Sequence, residues 1–513
     1  MNAAAPAAPA TRSTASWSAF GPLIVFAIGV VAIWLPPRPP MIDLPQFAGQ
    51  IALLKGMLTG STPWAPNLRL DVVTPYLIGY ALALPLAFIL PVAAALKLVL
   101  TATLAAFGLG AAAIRRELGA ARELDAYALI GFFGFVYAWG LYTFLVAAPL
   151  GLFLIWLALR YARSPDLRRG LAVSAAGLLL LFAHGLVFIF ATGVGLLLMG
   201  ARAGGPGRAF GRAWPFALPL AACAAMLLST RAGVAGVAGG GLTFGPPDLR
   251  VMGALASIDD RPSPWTILAL IVLLALPLVA GLRITVRPIE RLIIAGAVFA
   301  ALALGPDWAW VASGIYRRFA LFAPAAWAWL FTHDDAPSSG LTRLVRPNLD
   351  LAASVLAALI VSQHVSEAIA FSRETANFDR VMAMARPGRR ALELVLDEAS
   401  VADVDLHVYR HFPLWYQAEK GGLVDPSFAA SPPSIVRYRQ NPPGLYDDAV
   451  FAGDPSRFDW RRDDGGQWTY FFVRHTQPIP PGLFVGADCP PTLVGSAGAW
   501  TLYQRRICLT TPK

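Results

Sequence analysis

Met41-Ile42-Asp43-Leu44-Pro45-Gln46 follows an apolar run, Phe20–Leu35, and a proline-rich turn, Pro36-Pro37-Arg38-Pro39-Pro40. From Asp43 to Thr59, Leu44, Phe47, Ala48, Ile51, Leu54 and Leu58 recur on one helical face, while Asp43, Gln46 and Gln50 lie off it. The run is too short and too polar to cross a bilayer. Its spacing predicts a helix lying on a membrane surface, opened by a carboxylate just beyond the preceding span.

The composition supports that setting. Of 513 residues, 57% are hydrophobic and 14% charged, with a mean hydropathy of +0.58. A soluble chain of this length carries far more charge. Uncharged stretches near 20 residues recur, as a bilayer core requires. A polytopic α-helical membrane protein follows. The net charge of +10 does not signal nucleic acid. From Ser366 onward there are 16 Lys and Arg against 17 Asp and Glu, so the first 365 residues hold 25 against 14. That excess sits in short loops, which is the positive-inside pattern.

The loops Arg115–Asp125, Arg160–Gly170, Ala201–Arg212, Arg283–Arg291 and Thr332–Arg346 are rich in arginine, and the turns at Trp139-Gly140, His184 and Asp307 hold no Lys or Arg. With the basic loops inside, Val92–Ala113 runs inward. If Phe20–Leu35 is an anchor running outward, Val72–Pro91 is a second surface or re-entrant helix. If Val72–Pro91 crosses instead, Asp43 lies in the cytoplasm. The first arrangement is favoured. Further spans are expected at about 125–140, 141–160, 170–184, 185–200, 212–230, 265–283, 288–305, 314–331 and 347–365, about eleven in all. Residues 1–16, rich in Ala, Pro, Ser and Thr, are expected to be disordered. The region 17–365 forms the transmembrane domain, with 36–91 as its external loop.

Residues 366–513 read as a small soluble α/β domain. Ala391–Leu396, Tyr470–Val473 and Gly498–Ile507 are predicted strands, Phe378–Ala385 is a predicted helix, and Asn441-Pro442-Pro443-Gly444 is a turn. Cys489 and Cys508 are able to pair if this domain lies outside the cytoplasm.

One apolar helix, an external segment with an early acid, many spans and an external soluble tail: this order resembles the clan C glycosyltransferases, integral membrane enzymes that use polyprenyl-phosphate sugars. Asp43 matches the acidic position of their first external loop. Lys97 is similar to a basic residue opening the second span, and Val72–Pro91 to the proline-containing surface helix before it. His184 is similar to a histidine at the outer end of a middle span, and Trp500-Thr501-Leu502-Tyr503 to the tail ending of some relatives. The chain departs from the family in having one acid at Asp43 rather than an acidic pair, and it has no Trp-Trp-Asp signature. The resemblance implies a polyprenyl-phosphate-linked sugar, a lipid or glycan acceptor, and a place in a bacterial inner membrane with the tail outside. It leaves room for a divalent cation without naming ligands.

Inverting transfer from a lipid phosphate needs a base for the acceptor's proton and positive charge on the leaving phosphate. Asp43 suits the base, and equally suits a helix N-cap with Gln46 at the third position. Arg317-Arg318, beyond Trp308 and Trp310, suits a phosphate held by two guanidiniums, or an interfacial anchor. Lys97 has the same two readings. His184 is an ionisable group breaking an apolar run. Trp415-Tyr416 suits stacking on a sugar, or packing of the tail. His407 and His411 are a weak metal pair, and Asp259-Asp260 a second acidic site. Two rivals stand beside the enzyme: a transporter or lipid-handling protein, and a non-catalytic member of the same fold.

Overall fold

In the computed structural model the described residues are 17–233, 240–260, 263–310, 312–333, 340–402, 407–430, 432–440, 454–487 and 489–507. The N-terminal 1–16, most of the glycine-rich loop near 235, the turn at Asn441 and Cys508 lie outside them, and so does the pairing of Cys508 with Cys489.

Four helices among the described residues are long and apolar enough to cross a bilayer: Val92–Leu118, Tyr142–Arg163, Gly185–Ala203 and the stretch Gly340–Met384. A bent pair, Pro206–Arg212 with Trp214–Ser229, makes a fifth if it is one span. Phe20–Trp34, Leu77–Ile89 and Pro264–Val279 are apolar but shorter. Large apolar side chains stand bare on these helices, among them Leu109 at 70% exposure and Ile271 at 58%. So much uncovered apolar surface suits hydrocarbon rather than water. The protein is an integral membrane protein.

The count departs from the expected eleven because apolar runs have two causes. Residues 125–140 and 314–331 were expected as spanning helices. Each is instead a string of short turns, Tyr127–Ile130, Gly131–Phe133 and Phe135–Ala138 in the first, Tyr316–Phe322 and Ala323–Ala328 in the second. They pack on one another inside the bundle: Phe132, Phe133 and Phe322 are buried, and a side chain on Gly131 would strike the Leu321 carbonyl. Their apolarity answers to protein neighbours, and irregular backbone at membrane depth is tolerated where protein covers it. Leu77–Ile89, within the disputed 72–91 stretch, has 13 residues. At about 1.5 Å per residue it reaches about 20 Å, short of the roughly 30 Å hydrocarbon core.

The bundle has two unlike ends. At one, Lys97 near the start of Val92–Leu118 donates to the Trp34 and Pro36 carbonyls, and Asp43 lies against Gly140 just before Tyr142–Arg163. At the other, Arg163 and Arg202 converge on buried Glu290 at 3.4 and 2.5 Å, and Arg291 donates to the Leu118 carbonyl. The arginine-rich ends of three long helices therefore lie far from Asp43.

The helix Leu349–Met384 runs unbroken for 36 residues through the expected boundary near 366. Beyond it a five-stranded sheet orders its strands as Thr492–Ala497, Trp500–Gln504, Tyr470–Arg474, Arg390–Val395 and Leu423–Asp425. Tyr470–Arg474 pairs parallel with Arg390–Val395 and antiparallel with Trp500–Gln504. The external segment is stitched to this tail. Leu68–Leu70 pairs antiparallel with Val436–Tyr438, and Arg38 grips Glu419 at 2.7 Å and Asp379 at 2.6 Å. Asp43 and the tail share one side of the bundle.

Candidate active site

The Asp43 turn is fixed by its backbone. The Ile42 and Asp43 amides donate to the Ala138 and Trp139 carbonyls at 3.1 and 3.0 Å, and the Asp43 carbonyl accepts from Gln46 and Phe47. Its carboxylate makes no cap hydrogen bond to its own helix. Gln46 does not complete a capping box either. Its oxygen accepts from the Phe428 amide at 2.9 Å and its nitrogen donates to the Pro426 carbonyl at 3.3 Å. One turn on, Gln50 grips Val436 the same way, at 2.9 and 3.0 Å. The face read as wet is the face that binds the tail.

The Asp43 side chain keeps 15% of its surface open. From the tail, His411 places Nε2 3.8 Å from its Oδ1, while His411 Nδ1 meets Glu393 at 3.0 Å. From the membrane domain, Arg318 acts on both Asp43 and Tyr76, and Tyr76 packs on the His184 ring at 5.1 Å. Burial pushes the Asp43 carboxyl up to about 7, against the opposing pull of Arg318 and Arg410. Burial holds His411 neutral, down at about 3, and pushes Glu393 well above the carboxylate range, helped by Glu398 and Asp425.

Arg317 and Arg318 part company. Successive residues on a 3₁₀ turn point roughly 120° apart. Arg317 donates to Ser257 Oγ at 2.8 Å, reaches Asp260 at 3.4 Å and lies over the Phe135 ring at 4.0 Å. Arg318 is buried, donates to the Ser313 carbonyl at 2.9 Å and leaves Nε without a partner among the described residues. Of the two, Arg318 is the one whose charge is felt at Asp43.

His184 accepts the Leu186 amide through Nδ1 at 3.2 Å, which puts its proton on Nε2. Lys97 is buried against Trp34 and caps the end of the first helix, the anchoring use of its charge. Trp415 and Tyr416 are fully buried in the tail, Trp415 under Arg38 and Tyr416 bonded to Arg386. Neither has a ring face open to a sugar. His407 pairs with Glu398 rather than with His411. Asp259 binds His364 at 3.0 Å. Around Asp43 there is one carboxylate and one imidazole, and among the described residues no group of three His, Cys, Asp or Glu is arranged to hold a metal.

Glu393, Arg410, His411, Tyr76 and Gly140 were not singled out for this site from the sequence. In the sequence His411 reads only as half of a weak metal pair with His407. No local signal marks Glu393, which reaches the site through sheet topology.

An apolar cavity of about 640 Å³ is lined by Leu270, Leu273, Phe299, Leu302, Pro324 and Trp327, with Arg250 also in its wall. The turn Tyr316–Phe322 touches its wall: Tyr316 lies under Arg250 at 4.8 Å, and Arg317 holds Ser257 next to the cavity-lining Ile258.

No protein-family model and no curated protein matches the sequence. Solved structures do. ArnT from Cupriavidus metallidurans bound to undecaprenyl phosphate is 12% identical, with a TM-score of 0.46 over 98% of this chain and all of that one. Its apo state gives 0.46 at 13% identity over 95% and 97%. Arabinofuranosyltransferase AftD from Mycobacteria gives 0.48 at 15% identity over 95% of this chain, which spans 40% of that protein's length. Identities this low and TM-scores below 0.5 say nothing about individual residues.

Proposed function

We propose that the protein is a membrane glycosyltransferase that moves a sugar from a polyprenyl-phosphate donor to a lipid or glycan hydroxyl on the non-cytoplasmic face of a bacterial inner membrane. The observation that carries this reading is the Asp43 carboxylate. It makes no cap hydrogen bond to its own helix, is almost enclosed between bundle and tail, and feels the charge of buried Arg318, whose Nε has no partner among the described residues.

In the reaction, an Asp43 oxygen takes the proton of the acceptor's hydroxyl as the hydroxyl oxygen bonds to the sugar's anomeric carbon. The bond from that carbon to the phosphate oxygen breaks, and Arg318 meets the charge that develops on the leaving phosphate. The apolar cavity accepts the first part of the prenyl chain. Segregation of the arginines at the far end of the bundle supports an external Asp43.

The cavity alone would equally serve a lipid-handling protein without chemistry. Asp43→Asn separates the two readings. Transfer of labelled sugar from lipid carrier should fall at least a hundredfold, with carrier binding kept. Undiminished transfer removes Asp43 from catalysis. A topology reporter near Gly60 should read non-cytoplasmic.

A further inference from the structure

The soluble tail supplies part of the Asp43 site. His411 lies in the turn before helix Leu414–Lys420, and Glu393 lies on the strand Arg390–Val395. Both belong to the tail, yet His411 Nε2 stands 3.8 Å from Asp43, a residue of the membrane-side segment. Glu393 is 5% exposed and uses Oε1 on His411 Nδ1, while its Oε2 has no partner among the described residues. Among the described residues no Lys or Arg pairs with Glu393 directly.

We infer that Glu393 and His411 form a positioning pair: a neutral Glu393 donates its proton to His411 Nδ1, which fixes the tautomer that presents Nε2–H to the Asp43 carboxylate. This rests on Asp43 being the base proposed above, but its test does not need transfer activity. At 3.8 Å the N–H acts through its dipole, just outside hydrogen-bond range. Closing by less than about 1 Å would make a hydrogen bond to the ionised carboxylate, which favours that form. The pair therefore keeps part of the Asp43 population ionised near neutral pH, and it makes the base dependent on the docked tail. The other groups facing Asp43 are Arg318 and Tyr76 from the bundle and Arg410 beside His411. The two arginines act in the same direction as the N–H.

The experiment uses the full-length protein in detergent and a hydrophobic carbodiimide, which reacts with protonated carboxyls. Modification of the Asp43 peptide is followed by mass spectrometry across pH. His411→Phe keeps the ring volume and removes the N–H, so its midpoint should move about one pH unit higher. Glu393→Leu should do the same, whereas Glu393→Gln, which still offers an N–H to Nδ1, should match the parent. A His411→Phe curve superimposed on the parent overturns the inference, as does a Glu393→Gln curve that moves with Glu393→Leu. If His411→Phe does not fold, the two Glu393 variants decide. Transfer retained in Asp43→Asn would sink the catalytic reading while leaving this result standing.

Discussion

A β-carbon on Gly140 would lie 2.6 Å from the amide nitrogen of Asp43. Gly140 also has φ +79°, a conformation that costs other residues roughly 1–3 kcal/mol. The turn after the broken segment is thus a mould for the Asp43 turn, with the Trp139 carbonyl taking the Asp43 amide. Gly140→Ala should force the two backbones apart and displace the carboxylate. The expected outcome is a melting temperature lowered by several degrees in detergent and transfer lost well beyond the fall in folded protein. Full activity in a stable Gly140→Ala protein would mean the mould is not needed.

Gln46 and Gln50 give a second prediction. Each side-chain amide spans an N–H and a carbonyl of the tail, as a neighbouring strand would, part-buried for Gln46 and buried for Gln50. Replacing either with Leu leaves both backbone groups unpaired, at about 1–3 kcal/mol per orphaned group. Gln50→Leu should loosen the tail before it unfolds the bundle. Limited proteolysis should cut faster after Met384, while the membrane helices keep their far-ultraviolet dichroism.

How these glutamines read in the sequence shows what was legible there. The helix over 44–59 and its apolar face follow from periodicity, and so does the placing of Asp43, Gln46 and Gln50 off that face. Periodicity cannot say whether a polar face meets water or a distant part of the chain, and here Pro426, Phe428 and Val436 meet it. The same limit explains residues 125–140 and 314–331. Hydropathy reports burial but does not distinguish lipid from protein as the apolar neighbour. Asp43 stood out because it is a lone acid beyond an apolar run. Glu393 and His411 did not, because strand pairing and a turn more than 340 residues away bring them to it.

Arg317 and Arg318, adjacent in sequence, should behave differently. Arg318→Gln removes the buried guanidinium facing Asp43 and should lower the transfer rate constant by about a hundredfold or more, the usual scale for losing a charge-stabilising donor. Arg317→Gln breaks the tie to Ser257 and Asp260, so it should raise the donor's apparent KM through the cavity wall and leave kcat within a few-fold. Equal kcat losses in both variants would return the arginines to a joint phosphate clamp.

The pH dependence of Asp43 has two signs, one for rate and one for stability. A base must be ionised, so the transfer rate should climb as pH rises through about 7, where burial has placed the carboxyl against the pull of Arg318 and Arg410. Stability runs the other way. A carboxyl raised from 3.8 to about 7 on folding binds more protons in the folded state than in the unfolded state between those values. Its contribution is therefore complete below pH 3.8 and is lost as pH rises through 7. Asp43→Asn should flatten that slope, making the variant more stable than the parent above pH 7 and inactive throughout. Melting temperatures and initial rates on the same detergent preparations, from pH 5 to pH 9, test both signs. A parent whose stability and rate rise together across that range would place the Asp43 carboxyl in an open, hydrated position and undo the enclosed-base mechanism.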